Sequence, residues 1–184
     1  WGSGIIDMPD SRITSGQFAF QTRTIRADTA DYNLKSPSTS GYAFIADNVN
    51  ADINFATKLT RFQLNTDSSV VKFPEVQYIC TMTDFEYNQD TKILSMEQKG
   101  KKVSGLMPAD QLLRTSLSSP EKPTFVSTNN IRDTISFTSL KASYNLNEEY
   151  IEAEDINYIR IADALIQPDM GRITIRRRAA IDKL

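Results

Sequence analysis

Apolar and polar residues take turns along most of this chain. Asn48-Val49-Asn50-Ala51-Asp52-Ile53-Asn54-Phe55 places four apolar side chains on one parity and four amide or carboxylate side chains on the other. Successive side chains of a strand point to opposite faces, so this pattern predicts a half-buried strand. Phe18 and Phe20 share one parity, as do Val76, Tyr78, Cys80 and Met82. Ile156-Asn157-Tyr158-Ile159-Arg160-Ile161 and Arg172-Ile173-Thr174-Ile175 are rich in β-branched residues, which suit a pleated surface. Short runs of turn formers separate these stretches. They include Ser36-Pro37-Ser38-Thr39-Ser40-Gly41, Asn88-Gln89-Asp90-Thr91, Asn145-Leu146-Asn147-Glu148 and Pro168-Asp169-Met170-Gly171. Many short strands with regular turn chemistry predict an all-β fold.

One interval departs from the alternation. Residues 99–123 read as a loop, with a short helix expected near 108–117, where Pro108 suits a first turn and Leu112 and Leu113 pack together. This interval divides the chain into a first β module over 5–98 and a second over 124–184, stacked on the first. Trp1-Gly2-Ser3-Gly4 reads as linker.

The chain also echoes itself. Tyr42-Ala43-Phe44-Ile45-Ala46-Asp47 returns 116 residues later as Tyr158-Ile159-Arg160-Ile161-Ala162-Asp163. Tyr-Asn occurs at 32–33, 87–88 and 144–145, spacings of 55 and 57 residues. Fixed-period echoes signal stacked supersecondary units, each covering its neighbour's apolar face. The expected architecture is therefore a repeat-derived elongated sheet pair or β-solenoid.

Composition removes whole classes of chemistry. The 184 residues include no histidine and one cysteine. Imidazole bases, Ser-His-Asp triads, internal disulfides and thiolate metal clusters are thereby excluded. Cys80 is expected as a small buried hydrophobe in a strand. No residue set calls for a cofactor or a metal. A net charge of −2 argues against nucleic acid as a bulk electrostatic partner. No apolar run is long enough to span a bilayer as a helix.

Several residue sets carry weaker hints. Asp47 and Asp163 recur at the same place in the echo and form either turn hydrogen bonds or a repeated ligand position. Tyr42 and Tyr158 could stack on a flat ligand, or simply pack on the next strand. Arg176, Arg177 and Arg178, with Arg172 and Lys183, make the C-terminal part basic and offer contacts to an anion such as a lipid headgroup. These seven, Tyr42, Asp47, Tyr158, Asp163 and Arg176 to Arg178, are the candidate binding residues. Asn48, Asn50, Asp52 and Asn54 supply alternating oxygen ligands but fit an outward polar row better than a calcium site. Asp84 with Glu86, and Glu152 with Glu154, are carboxylate pairs of the kind glycoside cleavage uses, and each pair equally suits a solvated strand face.

The stretch Leu140-Lys141-Ala142-Ser143-Tyr144-Asn145-Leu146-Asn147-Glu148-Glu149-Tyr150-Ile151-Glu152-Ala153-Glu154-Asp155-Ile156 resembles a unit of the OstA-like family, the repetitive β-fold of lipopolysaccharide-transport bridge proteins. Ala27 through Leu34 is similar. Thr124 to Phe137, continuing to Asp163, also resembles modules of large repetitive envelope proteins of Gram-negative bacteria. These resemblances imply an extended β-architecture in the cell envelope, in the periplasm or at the outer-membrane surface. The expected role is a non-catalytic scaffold segment of a larger envelope protein, partnered by neighbouring modules. A lipid- or lipopolysaccharide-binding transport module and a carbohydrate-binding module are the alternatives.

Overall fold

The computed structural model describes residues 1–66, 69–99, 123–129 and 134–183. Among the described residues the alternating stretches form seventeen strands. The first nine are β1 (Gly2–Asp7), β2 (Ser11–Phe20), β3 (Thr24–Lys35), β4 (Tyr42–Asn54), β5 (Leu59–Leu64), β6 (Val71–Phe73), β7 (Tyr78–Cys80), β8 (Asp84–Asn88) and β9 (Ile93–Glu97). The remainder are β10 (Phe125–Ser127), β11 (Ile135–Phe137), β12 (Lys141–Asn145), β13 (Tyr150–Glu154), β14 (Ile159–Ile161), β15 (Ala164–Ile166), β16 (Ile173–Arg176) and β17 (Ala180–Lys183). No α-helix occurs among the described residues, so the chain is all-β as its alternation predicts. The helix expected near 108–117 lies outside the described residues. One expectation needs correction: Gly2, Ser3 and Gly4 are not linker but the first half of β1, paired along β2.

All pairings are antiparallel and belong to one open sheet that branches. β1 to β4 pair in chain order. At β4 the hydrogen bonding divides, because residues 49–54 pair with β5 while Ile45 and Ala46 pair with β6. Arm A continues β5–β8–β9–β12–β13–β16–β17. Arm B continues β6–β7–β10–β11–β14–β15. Consecutive hairpins therefore fall alternately on the two arms: β6–β7 on B, β8–β9 on A, β10–β11 on B, β12–β13 on A. The pairings β7–β10 and β9–β12 join the stretches on either side of residues 99–123.

The division depends on a bend. Asn48 sits at φ 54°, a left-handed conformation that asparagine tolerates better than most residues. Its N–H donates to Asp31 Oδ1, and its own Oδ1 accepts from Asn65 Nδ2, which also donates to the Asp28 carbonyl. Ser15 Oγ on β2 donates to the Thr29 carbonyl on the adjoining β3. A similar corner recurs where the chain passes from β11 to β12. There the Ser139 hydroxyl donates to the carbonyls of Lys141 and Glu154. Buried backbone that leaves the ladder at a bend needs such partners.

Between the arms lies a single apolar core. Phe44 on β4 meets Phe62, Phe85 and Phe73 at ring separations of 5.7, 5.8 and 5.2 Å. Phe73 of arm B lies 5.2 Å, edge-on, from Tyr144 of arm A. Offset and edge-to-face rings gain beyond their buried area, so these contacts tie the arms together. Cys80 is fully buried on β7, with its thiol pushed up to about 12 by loss of solvent.

The Tyr-Asn echo has a structural counterpart. Tyr87 on β8 and Tyr144 on β12 are fully buried. The asparagine that follows each caps a turn: Asn88 Oδ1 accepts from the N–H of Asp90 and Thr91, and Asn145 Oδ1 from that of Glu148. Asn54 does the same for Ala56 and Thr57. Each turn closes on a left-handed residue, respectively Lys92, Glu149 and Lys58. Neighbouring turns also bond to one another, Gln89 N–H to Lys58 and Leu146 N–H to Lys92. Tyr32 is buried too, yet Asn33 lies mid-strand.

Candidate functional site: a concave polar face of arm A

The outward parity of arm A carries two cross-strand rows. One runs Asp52–Arg61–Glu86–Ser95–Ser143–Glu152 and the other Asn50–Gln63–Asp84–Glu97–Lys141–Glu154, each step being a registered neighbour. Together they line a hollow of about 530 Å³ whose floor is the strand backbone at Phe62, Phe85, Met96 and Ala142. Depth comes from composition: Ser95 and Ser143 are short and face each other between longer charged neighbours. Both carboxylate pairs singled out in the sequence, and the polar row residues Asn50 and Asp52, converge here.

Much of the charge is already matched. Arg61 Nε lies 2.6 Å from Glu86, Arg26 Nε 2.7 Å from Asp52 and Arg172 3.4 Å from Glu154. Exposed pairs of this kind contribute about 0–1 kcal/mol each. Asp84 is the most enclosed carboxylate of the hollow, with 13% of its side chain exposed. Burial works to raise its pKa, but the Lys99 ammonium at 2.8 Å, the Thr83 hydroxyl and the Gln63 amide outweigh it and hold it below its ordinary value. A general acid needs the opposite shift. Within the two pairs, Asp84 is held by Lys99, Glu86 by Arg61 and Glu154 by Arg172, while the pairs themselves stand three strand spacings apart, about 14 Å along the sheet. Among the described residues, no group of three or more acids or cysteines is arranged to hold a metal.

The seven sequence candidates do not meet in one place. Tyr42 opens β4 opposite Lys35, and Asp47 lies 3.8 Å from Lys72. Tyr158 precedes β14, and Asp163 is exposed in the turn between β14 and β15. Four strands of arm B separate β4 from β14. The echo itself lands on unlike structure. Ala46 is fully buried in mid-strand, whereas Ala162 is exposed in a turn at φ 49°.

Arg176 and Arg177 face acids of their own chain. Arg176 Nε lies 2.7 Å from Asp182, and its guanidinium lies 5.5 Å from the Tyr150 ring centre. Arg177 reaches Glu75 at 2.6 Å and Glu149 at 3.5 Å. Arg178 takes part through its backbone, its N–H donating to the Glu75 carbonyl.

Sequence reading missed the cluster around Arg177. Glu149 is only 4% exposed, and its two carboxylate oxygens accept from Ser36 and Ser38, each at 2.7 Å. Thr39 Oγ1 donates to Glu75 at 3.0 Å. This clasp binds the 36–41 loop, the β12–β13 turn and the segment before β17. The serines were legible as turn formers, but nothing local reveals an acid 111 to 113 residues away.

No family model, no curated protein and no solved structure matches this chain.

Proposed function

We propose that this chain is a non-catalytic structural segment of a larger cell-envelope protein: a β-repeat of solenoid type whose neighbouring modules cover its open ends. The observation that carries this reading is the alternation of hairpins between two arms around one core, ending in strands with one partner each. Among the described residues β1 pairs only with β2, β15 only with β14 and β17 only with β16. Unpaired edges are templates for further strands, and stacked units gain stability from each neighbour. The envelope location follows from the resemblance to OstA-like and large repetitive envelope modules.

The aromatic core favours a scaffold over a lipid groove, since Phe44, Phe73 and Tyr144 fill the space between the arms. The pairing of Asp84 with Lys99, of Glu86 with Arg61 and of Glu154 with Arg172 favours a non-catalytic role. A carbohydrate platform has less support, because among the described residues no Tyr or Trp lines the polar hollow.

The test is to express the chain with and without the flanking segments of its parent protein and compare thermal unfolding. A scaffold segment gains several degrees in Tm when its ends are covered. An unchanged Tm, or acyl chains co-purifying in mass spectrometry, would count against the reading.

A further inference from the structure

The chain passes between the arms at the same ends of their strands each time. Residues 81–83, 138–140, 155–158 and 167–172 all make that passage. The hairpin turns therefore sit at the opposite ends, where the turns of arm A face those of arm B across a mouth. Among the described residues no strand ladder crosses this mouth. Side chains close part of it. Lys92 in the β8–β9 turn meets Asp10 in the β1–β2 turn, and Glu149 in the β12–β13 turn meets Ser36 and Ser38. The rest is closed by main chain. The β16–β17 hairpin turns through Arg177, Arg178 and Ala179, and its tip reaches the β6–β7 turn of arm B. There Arg178 and Ala179 donate their N–H groups to the carbonyls of Glu75 and Val76, at 3.0 and 2.9 Å. Arg177 holds Glu75 and Glu149 together beside them.

This tip adopts a backbone that its sequence disfavours. Arg178 (φ 57°, ψ 37°) and Ala179 (φ 57°) are both left-handed, the one adjacent pair of such residues among those described. Neither is Gly, Asn or Asp, and a Cβ in that region crowds the following carbonyl oxygen. Closure also strands a polar group. The Tyr144 hydroxyl is fully buried and feels the charges of Glu149, Glu75 and Arg177, yet it has no hydrogen-bond partner among the described residues. Water could satisfy it once the tip lifts. The closed tip thus gains two main-chain bonds and an ion-pair cluster, against backbone strain and an orphaned hydroxyl. Strain concentrated at one point is a mark of switch regions, and opposed contributions of this kind make a two-state element.

We propose that residues 177–179 are a strap across the mouth, closed in this structure and able to lift as a unit while the arms stay packed. Lifting releases Glu75 and Glu149 from Arg177 and opens Tyr144 to water. The strap is a conformational device, and it goes beyond the scaffold reading.

Native-state hydrogen exchange on the whole chain tests it, since local opening and global unfolding give separate exchange rates. The amides of Arg178 and Ala179 should exchange through one shared opening, populated at least tenfold more than the opening that exposes the ladder amides of β13 and β16. Two variants should move the strap in opposite directions. Glu75→Gln weakens the hold on Arg177 and should raise the strap's opening constant about tenfold. Arg178→Gly relieves the left-handed strain and should lower it about threefold. Neither should change the ladder amides. Strap amides that exchange only together with the ladder would overturn the proposal, as would variants that leave the strap unmoved or shift strap and ladder alike. None of these outcomes bears on the thermal test of flanking modules, so the two readings fail separately.

Discussion

Arms A and B share one core yet are built differently. Strands of arm A from β8 to β13 are five residues long, with two inward side chains and an outward polar surface. Strands of arm B are three residues long, and in β6, β7, β10 and β11 the first and last are buried. Arm A can therefore carry rows of charge on its outer face, and the polar hollow lies there. Arm B places most of its short strands in the core, where Phe125 stacks on Phe137 at 5.0 Å and Tyr78 lies 6.2 Å from the same ring. A residue lost from arm B removes a larger share of its strand's holding contacts.

The largest expected effect follows directly. Phe73 supplies half of a three-residue strand's inward face and touches both Phe44 and Tyr144. Phe73→Ala should cost about 4–5 kcal/mol in urea unfolding, and Phe85→Ala on arm A about 3. Equal losses would erase the distinction between the arms. Next comes the clasp. Glu149→Ala strands the buried Ser36 hydroxyl, removes the bond from Ser38 and leaves Arg177 with Glu75 alone, a loss of about 2–3 kcal/mol. Glu149→Gln keeps the shape and should recover part of it.

On the outer face of arm A the effects shrink. Asp84→Asn removes charge-assisted bonds from Lys99, Gln63 and Thr83 and should cost about 1 kcal/mol. Because the folded pKa of Asp84 is lowered, its stabilisation is present in full above the ordinary carboxylate range, near pH 4, and disappears as pH falls through the lowered value. The difference between wild type and Asp84→Asn should therefore vanish in strong acid. A difference that persists there would mean the contribution is not electrostatic. Smallest of all is Tyr78→Phe. The Tyr78 hydroxyl is buried with no hydrogen-bond partner among the described residues, so removing it should be neutral or stabilising by up to about 1 kcal/mol.

How far the sequence was legible also divides along the arms. Arm A shows clearly, because five or more alternating residues make a pattern and Tyr-Asn marks where a core residue meets a capped turn. Arm B shows less: Val76, Tyr78, Cys80 and Met82 mark β7 and the β-branched run before Ala162 marks β14, but most three-residue strands cannot display a period. The Tyr-x-x-Ile-Ala-Asp echo misled because four matching letters over six positions fall within a long bent strand in one place and on a short strand with its turn in the other. The hollow was visible only in parts. Asp84 with Glu86, Glu152 with Glu154, and the row from Asn50 to Asp52 could each be read as a polar strand face. What brings them together is the pairing of β9 with β12 across more than forty residues, and alternation says nothing about partners. Glu149 illustrates the same limit, as its serine partners come from a distant loop.

The pairing order therefore carries the whole account, and cross-strand proton contacts in an NMR spectrum test it most directly. Hairpins that alternate between arms require contacts from Ser95 to Ser143 and from Ile79 to Val126, with none between β9 and β10. A simple meander, with β9 beside β10, would contradict the account.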